Sequence, residues 1–236
     1  THTNPYYSNF TDTAYYFLTW DNKISLRFQI ENDTNFSNYN IHKSIWVTRI
    51  QSFKNYYCTG AYRNNMEITA YKPAEGWVDT RLYLGTTGSK NILTSNLAVE
   101  SDSAELEFAF ASVNSPTFPH HMQVSLEDNL LIDTIYSGIQ YIRHKTKIPK
   151  SWLKSSSTKL YFKSIDDNKN TTSYQSMVYV RFCYAHSFTL ESDYSNYFFS
   201  AKNISGSKVI FPFVSSTIGK QNDEVILYDL TNNLRI

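Results

Sequence analysis

The chain has 236 residues, 41% of them hydrophobic and 16% aromatic, with 22 Lys and Arg against 21 Asp and Glu and a net charge of +1. That balance, with the basic residues scattered, excludes the basic stripe or tail of a nucleic-acid reader. The seven Gly argue against glycine-rich phosphate loops, and no apolar run reaches the roughly 18–20 residues of a membrane-spanning helix.

Residues 1–13 read as a polar, extended arm without Lys or Arg, so they do not neutralise phosphates. Ala14 to Trp20 and Ile24 to Ile30 are strand-like runs separated by the turn signal Asp21-Asn22-Lys23. A loop rich in Asn and Ser follows. Ile41 to Tyr57 is the expected helix, because Ile45, Trp46, Arg49, Ile50 and Phe53 recur at three- and four-residue spacing. Strands are then expected over Met66 to Tyr71, Val78 to Leu84, Leu106 to Ala111, Met122 to Leu126, Leu130 to Tyr136, Ile139 to Arg143 and Lys159 to Ile165.

The strongest of all is Met177 to His186, almost wholly β-branched or aromatic. At period two it places Val178, Val180, Phe182 and Tyr184 on one face and Met177, Tyr179, Arg181 and Cys183 on the other. A strand apolar on both faces belongs in the middle of a sandwich, or has its second face covered. Short strands with a single helix predict an all-β fold, an eight-stranded antiparallel jelly-roll sandwich with one or two short helices. The expected organisation is an N-terminal arm at 1–13, a jelly-roll domain at 14–193, and an extension at 194–236 packing on the domain or on neighbours.

Little in the chain points to chemistry. His120 and His121 are adjacent, so on a strand they face opposite ways and do not chelate one metal; after Pro119 they read as an exposed loop. Glu191 and Asp193 could share a face and meet Ca²⁺ at a subunit junction, although a solvated acidic edge is the plainer reading. Asp166-Asp167 and Glu127-Asp128 read as hairpin loops. Cys183 and His186 lie three apart on a strand and face opposite sides, without the geometry of a thiol–imidazole pair. Cys58 and Cys183 are expected to be unbonded, buried thiols. Five N-glycosylation sequons, at Asn9, Asn32, Asn35, Asn170 and Asn203, are no more than this composition produces by chance. Tyr6, Tyr7, Tyr56, Tyr57, Tyr194, Tyr197, Phe198 and Phe199 cluster outside the strongest strands, as interface aromatics do. No catalytic, cofactor-binding or metal-binding residue is assigned, and the protein is not expected to be an enzyme.

Several segments resemble capsid proteins of picorna-like, possibly insect, positive-strand RNA viruses. These are Tyr15 to Asp21 with Ser25 to Phe28 as an opening strand, the helix at Ile45 to Phe53, and the loop and strands of Phe118 to Leu126 and Leu130 to Tyr136. Lys159 to Lys163 and Met177 to His186, ending in Phe188 and Asp193, are similar to the family's last two strands. The wall strand departs from the family in lacking Pro before Tyr136. The resemblance implies a structural subunit of a small icosahedral shell, located in the virion and assembled in the host cytoplasm. Its partners would be other capsid subunits, with RNA held only weakly and non-specifically. The alternative is a secreted or cell-surface jelly-roll carbohydrate-binding module, with Tyr- and Trp-bearing loops holding a sugar.

Overall fold

The computed structural model describes residues 4–8, 13, 27–32, 35, 37, 39–59, 74–112, 119–167, 174–191, 197–202, 208–213 and 226–236. The strands in chain order are β1 (Gln29–Ile30), β2 (Asn40–Ile41), β3 (Ile45–Ser52), β4 (Tyr56–Cys58), β5 (Gly76–Val78), β6 (Leu82–Tyr83), β7 (Thr87–Leu93) and β8 (Ser103–Ser112). There follow β9 (Pro119–Leu126), β10 (Asn129–Ser137), β11 (Tyr141–Pro149), β12 (Ser157–Ser164), β13 (Tyr174–His186), β14 (Val209–Ile210), β15 (Tyr228–Asp229) and β16 (Leu234–Arg235). One 3₁₀ turn at Lys150–Trp152 is the only helical element among the described residues.

The long strands form two antiparallel sheets, ordered β11-β8-β13-β3 and β10-β9-β12-β7. The chain switches sheets between β7 and β8, β8 and β9, β10 and β11, β11 and β12, and β12 and β13. Apart from the β9–β10 hairpin, the paired strands of the two sheets are therefore not consecutive in the chain, and the architecture is an antiparallel β-sandwich of jelly-roll type. The expectation of an all-β sandwich holds; α-helices are absent from the described residues.

The core lies between the sheets. From one side come Leu106, Phe108, Phe110, Val180, Phe182 and Tyr184, and from the other Met122, Val124, Leu126, Leu160 and Phe162. Phe108 and Phe162 meet edge to face across the interior, ring centroids 6.2 Å apart. β9 and β12 alternate buried and less buried residues without a break, because only one face of their sheet is covered. β13 is buried nearly throughout. Its second face lies under a smaller cluster of Cys58, Ala74, Val78, Ala109, Ala111, Val178 and Tyr179 that the β4–β5 hairpin closes. The N-terminal segment is pinned on that same side: fully buried Asn4 donates from Nδ2 to the carbonyls of Phe53, Trp77 and Val178. Tyr6 packs edge to face on Tyr179. A bulge between Met177 and Tyr179 shifts the expected facing, so Met177 joins Val180 and Phe182 in the main core and Val178 joins Tyr179 in the smaller cluster.

The helix expected within Ile41 to Tyr57 is instead edge strand β3, antiparallel to β13. Ile45, Val47, Arg49 and Gln51 stand opposite His186, Tyr184, Phe182 and Val180, facing the interior, while Trp46, Thr48 and Ile50 face out. An inward Arg and an outward Ile break the period of two and imitate a helical stripe. An inward-pointing charge is also a known guard of edge strands. The expected strand at Met66 to Tyr71 and most of the two at 14–30 lie outside the described residues; only β1 of the latter is seen, in a small sheet with β16 and β15. Val78 to Leu84 resolves into the end of β5 and the short β6, and β7 was not expected as a strand.

Cys58 and Cys183 are both buried, and no disulfide joins them. Among the described residues after β13, those at 197–199 and 211–213 pack on the sandwich itself. Tyr197, Phe199, Phe211 and Phe213 all contact the main core cluster. Phe199, Phe211 and Phe213 form a triangle of rings 5.3–6.0 Å apart, with Phe188 5.4 Å from Phe213.

Candidate functional site

An open groove of about 650 Å³ runs along one end of the β11-β8-β13-β3 sheet, where β3 and β8 begin and β13 ends. Trp46 is its aromatic element. It faces outward from β3 because Ile45 and Val47 take the core positions on either side. The tail holds it there through paired backbone bonds, Trp46 N–H to the Ser200 carbonyl (2.7 Å) and Ser200 N–H to the Trp46 carbonyl (2.9 Å).

Polar groups surround the ring. Asn40, His42 and Lys43 come from β2 and the turn after it, and Glu100 and Asp102 from the loop before β8. That loop is clamped: the Lys150 ammonium donates to the carbonyls of Ala98 (2.6 Å) and Val99 (2.9 Å), and the Lys150 N–H to that of Asp102 (2.9 Å). β2 pairs in parallel with β14, and His42 packs edge to face on Phe211 at 5.7 Å. Lys202 lies over the indole, its ammonium 3.5 Å from the ring centroid, and donates to Glu105 at 3.0 Å. The Lys202 hydrogen bond holds the Glu105 carboxyl below the usual range. The groove thus offers one aromatic face, carboxylates, an amide, an imidazole and two ammonium groups, within the size range of small-ligand sites.

The residues singled out from the sequence lie elsewhere and do not converge. His120 and His121 belong to β9, not to an exposed loop. As expected for strand neighbours, they point to opposite faces: His120 is buried and stacked on Tyr136 at 5.0 Å. His121 sits between Asp133 (2.6 Å) and Asp167 (3.3 Å) on the outer face. Glu127 and Asp128 form the two-residue β9–β10 hairpin turn, with Glu127 at φ +48° and its carboxylate taken by Lys154 and the Lys159 N–H.

Glu191 is not a solvated acidic edge. It ties the end of β13 to the tail, accepting from Ser95 Oγ (2.7 Å), Arg49 (2.9 Å) and Tyr197 OH (2.9 Å), with His186 Nε2 at 3.1 Å. Burial disfavours its charge, but hydrogen bonds from Ser95, His186 and Tyr197 outweigh that and bring its pKa down to about 2. Asp193 and Tyr194 lie outside the described residues. Of the clustered aromatics, Tyr6, Tyr56, Tyr57, Tyr197 and Phe199 pack against the fold, and Phe198 is exposed. The residues of the groove were missed because Trp46 was assigned to a helical core face. The β-branched density of Ile45, Val47 and Thr48 was the signal that could have placed it on a strand, facing out.

No protein-family model matches the sequence, and no curated protein does. The solved structures with a similar arrangement include dimeric latent PorU from Porphyromonas gingivalis, 8% identical, with a TM-score of 0.48 over 69% of this chain and 15% of that one. They also include the CBM36-1 domain of a multidomain xylanase from the hindgut metagenome of Trinervitermes trinervoides, 12% identical, covering 57% of this chain and 95% of that one at a TM-score of 0.35. A family 35 carbohydrate-binding module from Clostridium thermocellum is 13% identical over 61% of this chain and 94% of its own, at 0.31. Scores below 0.5 carry no inference about ligand or activity.

None of these is a viral shell protein, and the capsid reading is corrected. Its opening strand falls largely outside the described residues, its helix is β3, and the order of the remaining strands is common to jelly rolls of unrelated function. The shell partners, packaged RNA and virion location rested on that resemblance alone. Among the described residues no helix is long and apolar enough to cross a membrane.

Proposed function

We propose that the chain is a carbohydrate-binding β-sandwich domain, a binding module and not an enzyme, with its ligand in the Trp46 groove. One observation carries this: an outward indole bordered by acceptors and donors on a rigid sheet end. A pyranose ring presents a C–H face that packs on an aromatic ring and a circumference of hydroxyls that both donate and accept. Trp46 supplies the first requirement. Asn40, Glu100, Asp102, His42 and Lys43 supply the second. Lys202 occupies one face of the indole, so ligand contact there displaces its ammonium, which then keeps its Glu105 partner.

Native affinity electrophoresis in gels carrying soluble xylan, β-glucan, galactomannan or pectin tests the reading. At least one polysaccharide is expected to retard the protein, and Trp46→Ala to weaken retention at least about tenfold, since removing a stacked aromatic loses roughly 1.5–3 kcal/mol of burial. Lys202→Ala is expected to bind more tightly by freeing the ring. Retardation by none of them, or retardation that survives Trp46→Ala, overturns the proposal.

A further inference from the structure

The outer face of the β11-β8-β13-β3 sheet begins at the Trp46 groove and runs away from it in rows fixed by the register. Trp46 stands beside Ala185 in the first row. Thr48, Cys183, Glu105 and Lys147 form the second, and Ile50, Arg181, Glu107 and Lys145 the third. Tyr6, packed on Tyr179, bounds the far end. Thr48, Ile50, Lys145 and Lys147 are exposed, so the face is open to solvent. Its charges are out of balance. Arg143, Lys145 and Lys147 on β11, Arg181 on β13 and Lys202 from the tail oppose only Glu105 and Glu107. Both carboxylates are already held. Glu105 accepts from Lys202 at 3.0 Å, with the Lys145 ammonium 3.5 Å away. Glu107 accepts from Arg143 Nε at 2.9 Å and from Tyr179 OH at 2.6 Å. Lys147 and Arg181 are left with no ion-pair partner among the described residues.

We propose that the glycan held at Trp46 carries sulfate esters at intervals and continues from the groove over this face, with its sulfates on Lys147 and Arg181. This rests on the carbohydrate reading of the groove. The surplus of cations selects an anionic ligand, and their placement selects a polymer. Lys147 and Arg181 are two strands and one row apart, about 12 Å between Cα atoms by sheet geometry. Glu105 and Glu107 lie on the strand between them, so a single small anion shared by both cations would sit over two carboxylates. Successive anions on one chain avoid that position. The groove, in turn, selects against a charge on every unit. Glu100 and Asp102 accept from hydroxyls beside the indole and repel a phosphate or uronate there. Nucleic acids and polyuronates carry such a charge on each unit. A partly sulfated glycan places a hydroxyl-bearing sugar on Trp46 and its esters further along. Each ester offers three terminal oxygens to an ammonium or guanidinium, as a charge-assisted pairing.

The test measures binding of the whole chain to immobilised κ-carrageenan and partly sulfated xylan, beside desulfated carrageenan and plain xylan. At about 20 mM NaCl at least one sulfated form is expected to bind about tenfold tighter than its counterpart, and by about 300 mM that advantage is screened away. Trp46→Ala is expected to weaken both forms. The double variant Lys147→Gln/Arg181→Gln is expected to bring the two forms to within about twofold of each other. Lys159→Gln/Lys163→Gln, which removes two exposed charges from the outer face of the other sheet, is expected to keep the difference. Thr48→Glu keeps every cation and sets a carboxylate between Trp46 and Ile50 on the exposed side of β3; it is expected to reduce the difference at least about threefold. Equal, Trp46-dependent binding of sulfated and unsulfated forms overturns this proposal and leaves the carbohydrate reading standing. Binding of neither form ends both. A sulfate preference that survives loss of Lys147 and Arg181, or that is indifferent to Trp46→Ala, breaks the continuous site. Single-stranded poly(dT) binding more tightly than either sulfated glycan would make the face a nucleic-acid surface instead.

Discussion

Glu191→Ala is expected to destabilise the protein by about 3 kcal/mol, because it strands the inward Arg49 guanidinium and the hydroxyls of Ser95 and Tyr197 beside fully buried His186. For a chain of this size that lowers Tm by roughly 6–12 °C. The same carboxylate makes stability depend on pH. Its pKa is about 2 in the folded protein and about 4.3 when unfolded. A depressed pKa gives stability that is fully present above the unfolded value and is lost as pH falls through the folded one. Urea midpoints measured from pH 6 to pH 2 should fall between about pH 4.5 and 2 in the native chain. Glu191→Gln, which keeps the shape without the charge, should start lower and lose much less over that window. Parallel curves for the two proteins would show that Glu191 is not the group responsible.

The central strands were legible because their environment is simple. β9 and β12 alternate over one covered face, and β13 and the second half of β8 carry apolar residues on both faces because they are covered on both. The edges were not. In β3 the inward Arg49 is satisfied by Glu191, 142 residues away, and no local pattern reveals that partner. In β7 the inward positions are Gly88, Lys90 and Ile92, so the run reads as a polar loop; Lys90 faces inward because Asp79 and the Phe53 ring receive it. The groove was illegible for a related reason. Its walls come from 40–44, Trp46, 100–103, Ala185, Lys202 and Val209, and none of these pieces has a motif of its own. Only the jelly-roll crossings bring them to one sheet end. The carboxylate pair expected at Glu191 and Asp193 drew attention to the right residue with the wrong chemistry, since spacing reported a shared face and not the four donors that meet there.

Ending the chain after residue 196 is expected to have the largest effect of all. The removed segments include Tyr197, Phe199, Phe211 and Phe213, each packed on the main core. They also include Ser200, whose backbone pairs with Trp46 at the edge of β3. Complete burial of an aromatic side chain stabilises by roughly 1.5–3 kcal/mol, and these four are only partly buried, so their loss costs about 4–6 kcal/mol. That is comparable to the whole stability of an ordinary domain. The truncated chain should lose its cooperative thermal transition as a monomer, expose the core around Phe188 and bind a hydrophobic dye. An extension whose role lay in contacts with neighbouring molecules would behave differently, leaving a folded monomer with an unchanged transition. The milder variant Phe211→Ala/Phe213→Ala separates packing from chain length: it should lower Tm by roughly half the effect of truncation while keeping the Trp46–Ser200 pairing. A truncated chain that melts cooperatively at the native temperature would place the tail outside the cooperative unit and leave the Trp46 groove without one of its walls.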